Sequence, residues 1–294
     1  MDAPKNTGKE AGLAALNLVF VLLILFGAQS LLRGHISKTA GLAILSLLVF
    51  GAYLVGYRFI ERRRPPELAG LISLKEFFGG LALGITLFSA VIAVLWLLRV
   101  YHLQAIGTTA GLGAGALSAL LAATVEETLI RGFLFRIVQM LGGTWIAILI
   151  SSAFFGAGHA FNPGATITSS IAIALEAGVL LAAAYVLTGR LWFPMGVHAG
   201  WNFSEGSLYG LSVSGFTAKN ALTHGILQGP RILTGGAFGP EASIIAVVLC
   251  FGTAVLLLCA AKIGRIQPPL WSRHNPPVAL SASTANESSV HPNP

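Results

Sequence analysis

Two adjacent carboxylates inside an apolar stretch are the residues of this chain best suited to chemistry. Glu126 and Glu127 lie in the run Leu120-Leu-Ala-Ala-Thr-Val-Glu-Glu-Thr-Leu-Ile-Arg131. A charged side chain at the centre of a membrane-spanning helix costs roughly 2.5–3.5 kcal/mol on insertion scales, so two adjacent carboxylates need a compensating use. A carboxylate shielded from water is also a stronger base, which suits general-base catalysis.

The position of Arg131 suggests different uses for the two carboxylates. On a helix, Glu127 and Arg131 are four residues apart and share a face, which predicts a buried ion pair between them. Glu126 points about 100° away from Glu127 and is left free for chemistry. The alternative is that both glutamates only neutralise Arg131 and Arg136.

A tight connection between two apolar segments brings His159 to the level of Glu126. The residues Leu141-Gly-Gly-Thr144 predict a turn between two helices. Glu126 precedes Gly142 by 16 residues, and His159 follows Gly143 by 16 residues. The two side chains are therefore expected at the same level on neighbouring antiparallel helices.

His198 and Asn202 are four residues apart on a later segment and share a face. At a rise of 1.5 Å per residue, His198 lies about 12 Å along its helix, whereas Glu126 lies about 24 Å from its turn. The levels agree if the hairpin projects into the cytoplasm with its polar residues in water. These residues are Arg136, Gln139 and Thr144. The site is then inside the bilayer, nearer its cytoplasmic side.

These polar residues suit the activation of water for hydrolysis. Glu126, alone or with His159, can deprotonate a water molecule, and His198 with Asn202 can donate hydrogen bonds to a developing oxyanion. As an alternative, Glu126, His159 and His198 can bind Zn²⁺ and leave an open coordination position for water. The His-Glu-x-x-His signature of many zinc proteases is absent from the sequence.

Membrane-spanning helices must position these residues. The 294 residues are 55% hydrophobic and only 10% charged, whereas about 25% of residues are charged in an ordinary soluble domain. We expect an all-α polytopic membrane protein. Its net charge of +7 comes from basic residues in short loops and does not indicate nucleic acid. About eight segments are long enough to span a bilayer, namely 11–32, 40–60, 77–98, 112–135, 143–160, 166–188, 191–208 and 241–262.

The chain divides into three parts by composition. Residues 1–110 supply the N-terminal membrane helices, and residues 111–262 form the catalytic core. Residues 263–294 form a cytoplasmic tail that we expect to be disordered, since Pro, Ser and Asn dominate it from Gln267 onward. The sequence indicates no oligomeric state.

Three motifs in order resemble those of a known family. They are Glu126-Glu-x-x-x-Arg131, Phe155-x-x-x-His159 and His198-x-x-x-Asn202. In this order they are similar to the motifs of the CPBP family, the CAAX-processing and bacteriocin-processing intramembrane proteases, also called the Abi family. The resemblance covers roughly residues 115–245 and implies a bundle of about eight transmembrane helices. Residues 1–110 contain no motif of this family.

The resemblance also implies roles, partners and a location. Glu126 would be the catalytic base assisted by His159, His198 and Asn202 would stabilise the oxyanion, and the neighbouring ion pair would support the site. The family is described both as metalloproteases and as glutamate proteases, so dependence on Zn²⁺ stays open. The expected partners are the lipid bilayer, in a bacterial inner membrane, and a peptide or protein substrate. Whether that substrate is membrane-associated or prenylated is open.

A different function class rests on the segment Leu233-Thr-Gly-Gly-Ala-Phe-Gly-Pro-Glu241. Its Gly-x-Phe-x-Pro core resembles an anion-binding loop of chloride channels, and backbone N–H groups at a helix N-terminus do bind anions. In the protease interpretation the segment caps the last helix, with Pro240 at its start and Glu241 complementing its dipole. A non-catalytic membrane scaffold is a further alternative.

Four more residues in apolar segments need an interpretation. Glu176 is expected either to line the cavity or to pair with an arginine. Glu205, less than a turn beyond Asn202, is an additional candidate metal ligand. Cys250 and Cys259 lie in one apolar segment, which excludes a disulfide framework. We expect both side chains to face the core or lipid.

The placement of basic residues predicts that both termini and the 58–64 loop face the cytoplasm. In a variant that lacks Cys250 and Cys259, the substitutions Ser73→Cys and Ser283→Cys should introduce thiols that are labelled only from the cytoplasmic side. Labelling of either thiol from the outside would contradict the count of eight spans.

Overall fold

The computed structural model describes residues 7–32, 34–36, 38–69, 73–217 and 220–270, and most of them are helical. The helices are α1 (Thr7–Leu32), α2 (Lys38–Phe59), α3 (Ser73–Leu97), α4 (Leu112–Glu127), α5 (Arg136–Gly158), α6 (Ile167–Ile173), α7 (Val179–Thr188), α8 (Trp192–Phe203), α9 (Arg231–Thr234) and α10 (Ile244–Ala260). Wider π-helical turns join α4 to α5 (Thr128–Phe135), join α6 to α7 (Ala174–Gly178) and extend α8 (Ser204–Leu208).

The predicted all-α membrane bundle is confirmed. Five helical segments of the described residues are long and apolar enough to cross a membrane. One of them, Thr109–Phe161, contains two of the predicted spans, because the chain turns at Gly143 with a φ of 78°. The last two predicted spans correspond to α8 with its π-helical extension and to α10, which are too short to be counted among the five.

The sequence does not predict the small two-stranded sheet. Strand β1 (Tyr101–Ile106) pairs antiparallel with β2 (Thr223–Leu227), and Tyr101 lies opposite Leu227. The first strand follows α3, and the second belongs to the long connection between α8 and α10. The sheet therefore ties this connection to the end of α3.

Glycines bring α8 into backbone contact with α3. A Cβ atom added at Gly80 or Gly84 of α3 would lie 2.2 Å or 2.1 Å from a backbone oxygen of α8. Added at Gly196 or Gly200 of α8, it would lie 2.1 Å or 2.3 Å from a backbone oxygen of α3. Small residues spaced four apart allow such close helix packing in membranes. His198 is two residues from each glycine of α8, about 200° around the helix, so the contact turns His198 away from α3.

A buried polar network ties α1 and the end of α2 to the start of α5. Arg136 donates two hydrogen bonds of 2.7 Å to Glu61, which also accepts one of 2.9 Å from Asn17. Burial alone would raise the pKa of Glu61, but the hydrogen bonds from Arg136 and Asn17 outweigh burial and lower it. Arg136 therefore has its own carboxylate partner and does not compete for the two adjacent glutamates of α4.

The prediction that the polar residues of the hairpin lie in water is wrong. Arg136 is only 7% exposed and Thr144 is fully buried. The side-chain amide of Gln139 donates to the hydroxyl of Thr144 at 2.9 Å. These groups find partners inside the protein, since Glu61 binds Arg136 and a later part of the chain covers the turn at Thr144.

That covering segment comes from the predicted tail. The backbone N–H of Thr144 donates to the carbonyl oxygen of Gln267 at 2.9 Å, and the N–H of Gln267 donates to the hydroxyl of Thr144 at 2.8 Å. The backbone of Gln267 also approaches Gly143 so closely that an added Cβ atom would lie 2.7 Å from its oxygen. Arg265 and Gln267 of the predicted tail therefore pack on the hairpin, while residues 271–294 of that tail lie outside the described residues.

Gly80→Ala should destabilise the bundle, because its methyl group would push α3 and α8 apart. Overpacking of this kind typically costs about 1–3 kcal/mol. Gly79→Ala is the matched control, since its methyl group would meet only the side chain of Phe193, at 3.9 Å. Thermal unfolding in detergent should show a lowered midpoint for Gly80→Ala alone, and equal midpoints would contradict the close contact.

Candidate functional site

A fully buried ion pair forms the framework of the site. Glu127, the last residue of α4, accepts a hydrogen bond of 3.0 Å from Arg131, and both side chains are 0% exposed. Nη2 of Arg131 donates to the carbonyl oxygen of Gly178 at 3.0 Å. The guanidinium group also lies over the ring of Phe155, 4.7 Å from its centroid. The predicted Glu127–Arg131 pair is confirmed, and it connects the end of α4 with α5 and the start of α7.

Glu127 also orients His198. The oxygen that accepts the bond from Arg131, Oε1, lies 3.0 Å from Nδ1 of His198. An ionised carboxylate can only accept hydrogen bonds, so Nδ1 of His198 carries a proton. This contact joins α4 to α8 across 71 positions of the chain, and the sequence does not predict it.

Glu126 lies opposite two imidazole rings. Its Oε2 is 3.9 Å from Nε2 of His159 and 3.9 Å from Nε2 of His198. Nδ1 of His159 lies 2.8 Å from the carbonyl oxygen of Phe155, which can only accept, so this nitrogen donates. The side chain of Glu126 is 36% exposed, against 13% and 8% for the two histidines. The predicted convergence of these three residues is confirmed, and Glu126 is the member that solvent reaches most easily.

A cavity adjoins the two histidines. It contains about 370 Å³ of space, part of it open to the outside. His159, His198 and Asn202 line it, which brings Asn202 to the same place as the histidines. Glu126 does not line it. The rest of the wall is mainly apolar but includes the carboxyl groups of Glu176 and Glu241.

Three π-helical turns lie beside the acidic residues of the helices. Thr128–Phe135 follows Glu127 directly, Ala174–Gly178 contains Glu176, and Ser204–Leu208 contains Glu205. A π-helical turn interrupts the α-helical ladder, and such turns are frequent at functional sites. The hydrophobic pattern gives no signal for them, so the sequence alone does not predict where the helices widen.

The segment 233–241 does not cap the last helix. Pro240 starts a single 3₁₀ turn, whereas α10 begins at Ile244 and is capped by the side chain of Ser243. The prediction that Pro240 starts the last helix and Glu241 complements its dipole is wrong, because Ser243 has extended backbone angles and separates the two elements. The segment instead contributes Glu241 to the cavity wall.

The remaining acidic residues lie at or beside the cavity. Glu176 lines it and accepts a hydrogen bond of 3.5 Å from the thiol of Cys250, so its partner is not an arginine. Glu205 is buried, and its carboxyl group faces that of Glu241. Charge inside an apolar segment is the sequence signal for Glu176 and Glu205. Glu241 has no such signal because it lies in a loop. Carboxyl groups at this place disfavour an anion beside the 233–241 segment.

The residues predicted to bind Zn²⁺ have donor atoms of suitable chemistry. His159 and His198 both direct Nε2 towards Glu126, and both hold Nδ1 in a hydrogen bond, as zinc-bound histidines do. Within the part of the chain that the structure describes, however, no three His, Cys, Asp or Glu side chains form a group that could hold a metal ion. Dependence on Zn²⁺ therefore stays a prediction.

Comparison with known proteins identifies the segment that carries these residues. Residues 108–204 match the family model described as Type II CAAX prenyl endopeptidase Rce1-like. The match confirms the resemblance that the three motifs predict. The matched segment contains all three motifs and covers less than half of the 294 residues. No curated protein and no solved structure matches the chain.

Glu127→Ala should lower the free energy of unfolding by about 3–5 kcal/mol, because it leaves the charge of Arg131 buried without a partner. The double variant Glu127→Leu with Arg131→Met should recover most of that loss, since it buries no uncompensated charge. Denaturant unfolding in mild detergent measures both. A single variant that is as stable as the wild type would show that the pair is not the framework of the site.

Proposed function

We propose that the protein is an intramembrane endopeptidase in which Glu126 activates water for the hydrolysis of a peptide bond. One observation carries this proposal: Oε2 of Glu126 lies 3.9 Å from Nε2 of both His159 and His198. All three residues belong to the segment that matches the endopeptidase family model. A water molecule about 2.8 Å from both the carboxylate and an imidazole fits this spacing.

The first step forms the bond between water oxygen and the substrate carbonyl carbon. Because Nδ1 of His159 donates to a backbone oxygen, Nε2 of the neutral ring accepts a hydrogen bond and can orient the water. Glu126 takes a proton from the water as its oxygen attacks. The carbonyl π electrons move to the carbonyl oxygen, which becomes the oxyanion.

The second step breaks the carbon–nitrogen bond. His198 lies between two carboxylates, with Glu127 at Nδ1 and Glu126 beyond Nε2, so a doubly protonated ring has its charge compensated. In that form Nε2 can donate to the oxyanion together with the side-chain amide of Asn202. Glu126 then gives its proton to the leaving amine as the carbonyl re-forms.

The substrate that follows from this chemistry is a peptide or protein segment. The proposal leaves open whether this segment is prenylated. It places the protein in a bacterial inner membrane with both termini in the cytoplasm. The anion-channel alternative lacks support, because the 233–241 segment itself carries the buried Glu241 and the buried carboxyl group of Glu205 faces it. A non-catalytic scaffold would have no use for a carboxylate opposite two oriented imidazoles.

Glu126→Gln should lower the rate of peptide hydrolysis at least about 100-fold, the usual contribution of a general base. Its unfolding midpoint should stay near that of the wild type, because Oε2 of Glu126 has no hydrogen-bond partner among the described residues. Purified protein, assayed with soluble, membrane-anchored and prenylated peptides, provides the measurement. Glu10→Gln, on the exposed face of α1, is the control for loss of a carboxylate. Hydrolysis at the native rate by folded Glu126→Gln would show that Glu126 is not the base.

A chelator in the same assay distinguishes the two forms of the mechanism. Activity that survives prolonged chelation supports water activation by Glu126 and His159 alone. Activity that is lost and then restored by Zn²⁺ supports metal assistance by Glu126, His159 and His198.

A further inference from the structure

The cavity contains two carboxyl groups that the hydrolytic mechanism does not use. Glu176 and Glu241 both line it, and they are only 1% and 3% exposed. They reach the cavity from different elements, Glu176 from the π-helical turn before α7 and Glu241 from the loop before α10. The two groups interact electrostatically, so they belong to one acidic wall.

Each of these carboxyl groups has an oxygen without a partner. Oε1 of Glu176 accepts from the thiol of Cys250, but Oε2 of Glu176 and Oε1 of Glu241 have no hydrogen-bond partner among the described residues. Neither carboxylate is in an ion pair with a described Lys or Arg, whereas Glu61, Glu76 and Glu127 each pair with an arginine. Buried carboxylates without a cation are rare in proteins, because an unpaired charge away from water is strongly destabilised.

The rest of the cavity wall is mainly apolar. Phe155, Ile173, Leu180, Leu181 and Val197 line it. Apolar walls with a few convergent polar groups are typical of ligand sites. The same cavity reaches His159, His198 and Asn202.

We infer that this cavity binds a primary ammonium group on an aliphatic stem, which in a peptide is the side chain of lysine. An ammonium group has three N–H donors and no acceptor, so it can bond to Glu176 and Glu241 together. Its methylene groups would lie against the apolar wall. A carboxylate ligand is disfavoured at the same place by charge repulsion.

The role of this cavity in catalysis rests on the proposed function. If the protein is an endopeptidase, the cavity is a specificity subsite beside the reacting carbonyl group, and it selects substrates with a lysine near the scissile bond. Glu176 and Glu241 then determine specificity without taking part in the chemical step. The binding of an ammonium group does not itself depend on hydrolysis.

Binding can be measured without hydrolysis. The unfolding midpoint of the purified full-length protein should rise saturably with n-butylammonium, by about 3 °C or more at roughly ten times the dissociation constant. n-Butanol at the same concentrations should give no such saturable rise. Glu176→Gln and Glu241→Gln should each abolish the response, while Glu10→Gln should keep it. If one of the first two variants does not fold, the other decides the result.

Hydrolysis provides the second measurement. For peptide pairs that differ only by lysine or norleucine, the wild type should prefer lysine at one position by about 30-fold or more in kcat/KM. Glu176→Gln or Glu241→Gln should bring that ratio near one.

The outcomes separate the two proposals. Equal effects of butylammonium and butanol, or a response that survives in both glutamine variants, would overturn the ammonium site. Cleavage without any preference for lysine would likewise overturn the subsite while leaving the endopeptidase proposal intact. A specific ammonium response without cleavage of any peptide would support the site and contradict the proposed function.

Discussion

The buried ion pair between Glu127 and Arg131 is the interaction on which the rest of the site depends. An arginine with no exposed surface requires a counter-charge, and Glu127 supplies it from one helical turn away. The same carboxylate fixes the ring of His198, while Arg131 also contacts Gly178 and Phe155. One charge pair thus sets the relative positions of four helical elements. Glu126, the neighbouring residue, takes no part in this ion pair.

Close helix packing provides the second constraint. Glycines on α3 and α8 allow their backbones to touch, and this contact fixes the rotation of α8 about its axis. Because His198 and Asn202 lie on the opposite side of that helix from Gly196 and Gly200, the contact directs them into the cavity. The chemistry of one helix face therefore depends on the absence of side chains on the other.

Two groups of carboxylates at the centre of the bundle have different surroundings. Glu127 is compensated by Arg131, and Glu126 is partly open to solvent. Glu176 and Glu241 are buried against an apolar wall and have no fixed cation among the described residues. This contrast is the physical basis for assigning water activation to the first group and recognition of a cationic group to the second.

The polar network around Glu61 shows how the N-terminal helices support this core. Arg136 is held by that carboxylate and lies five residues beyond Arg131. The two arginines therefore have separate partners, one at the centre of the bundle and one at the base of the hairpin. The first two helices contribute no residue to the cavity, but through Glu61 they fix the start of α5.

The sequence by itself determined the helical class, the spans and the ion pair, because these depend on hydrophobic length and on residues one turn apart. It also predicted that His159 reaches the level of Glu126, since both are equally far from one turn. Tertiary structure alone decided the contact between Glu127 and His198, the covering of the hairpin by residues 263–270, and the position of Glu241. Those features join segments far apart in the chain through side-chain contacts and close backbone approach, which leave no periodic pattern in the sequence.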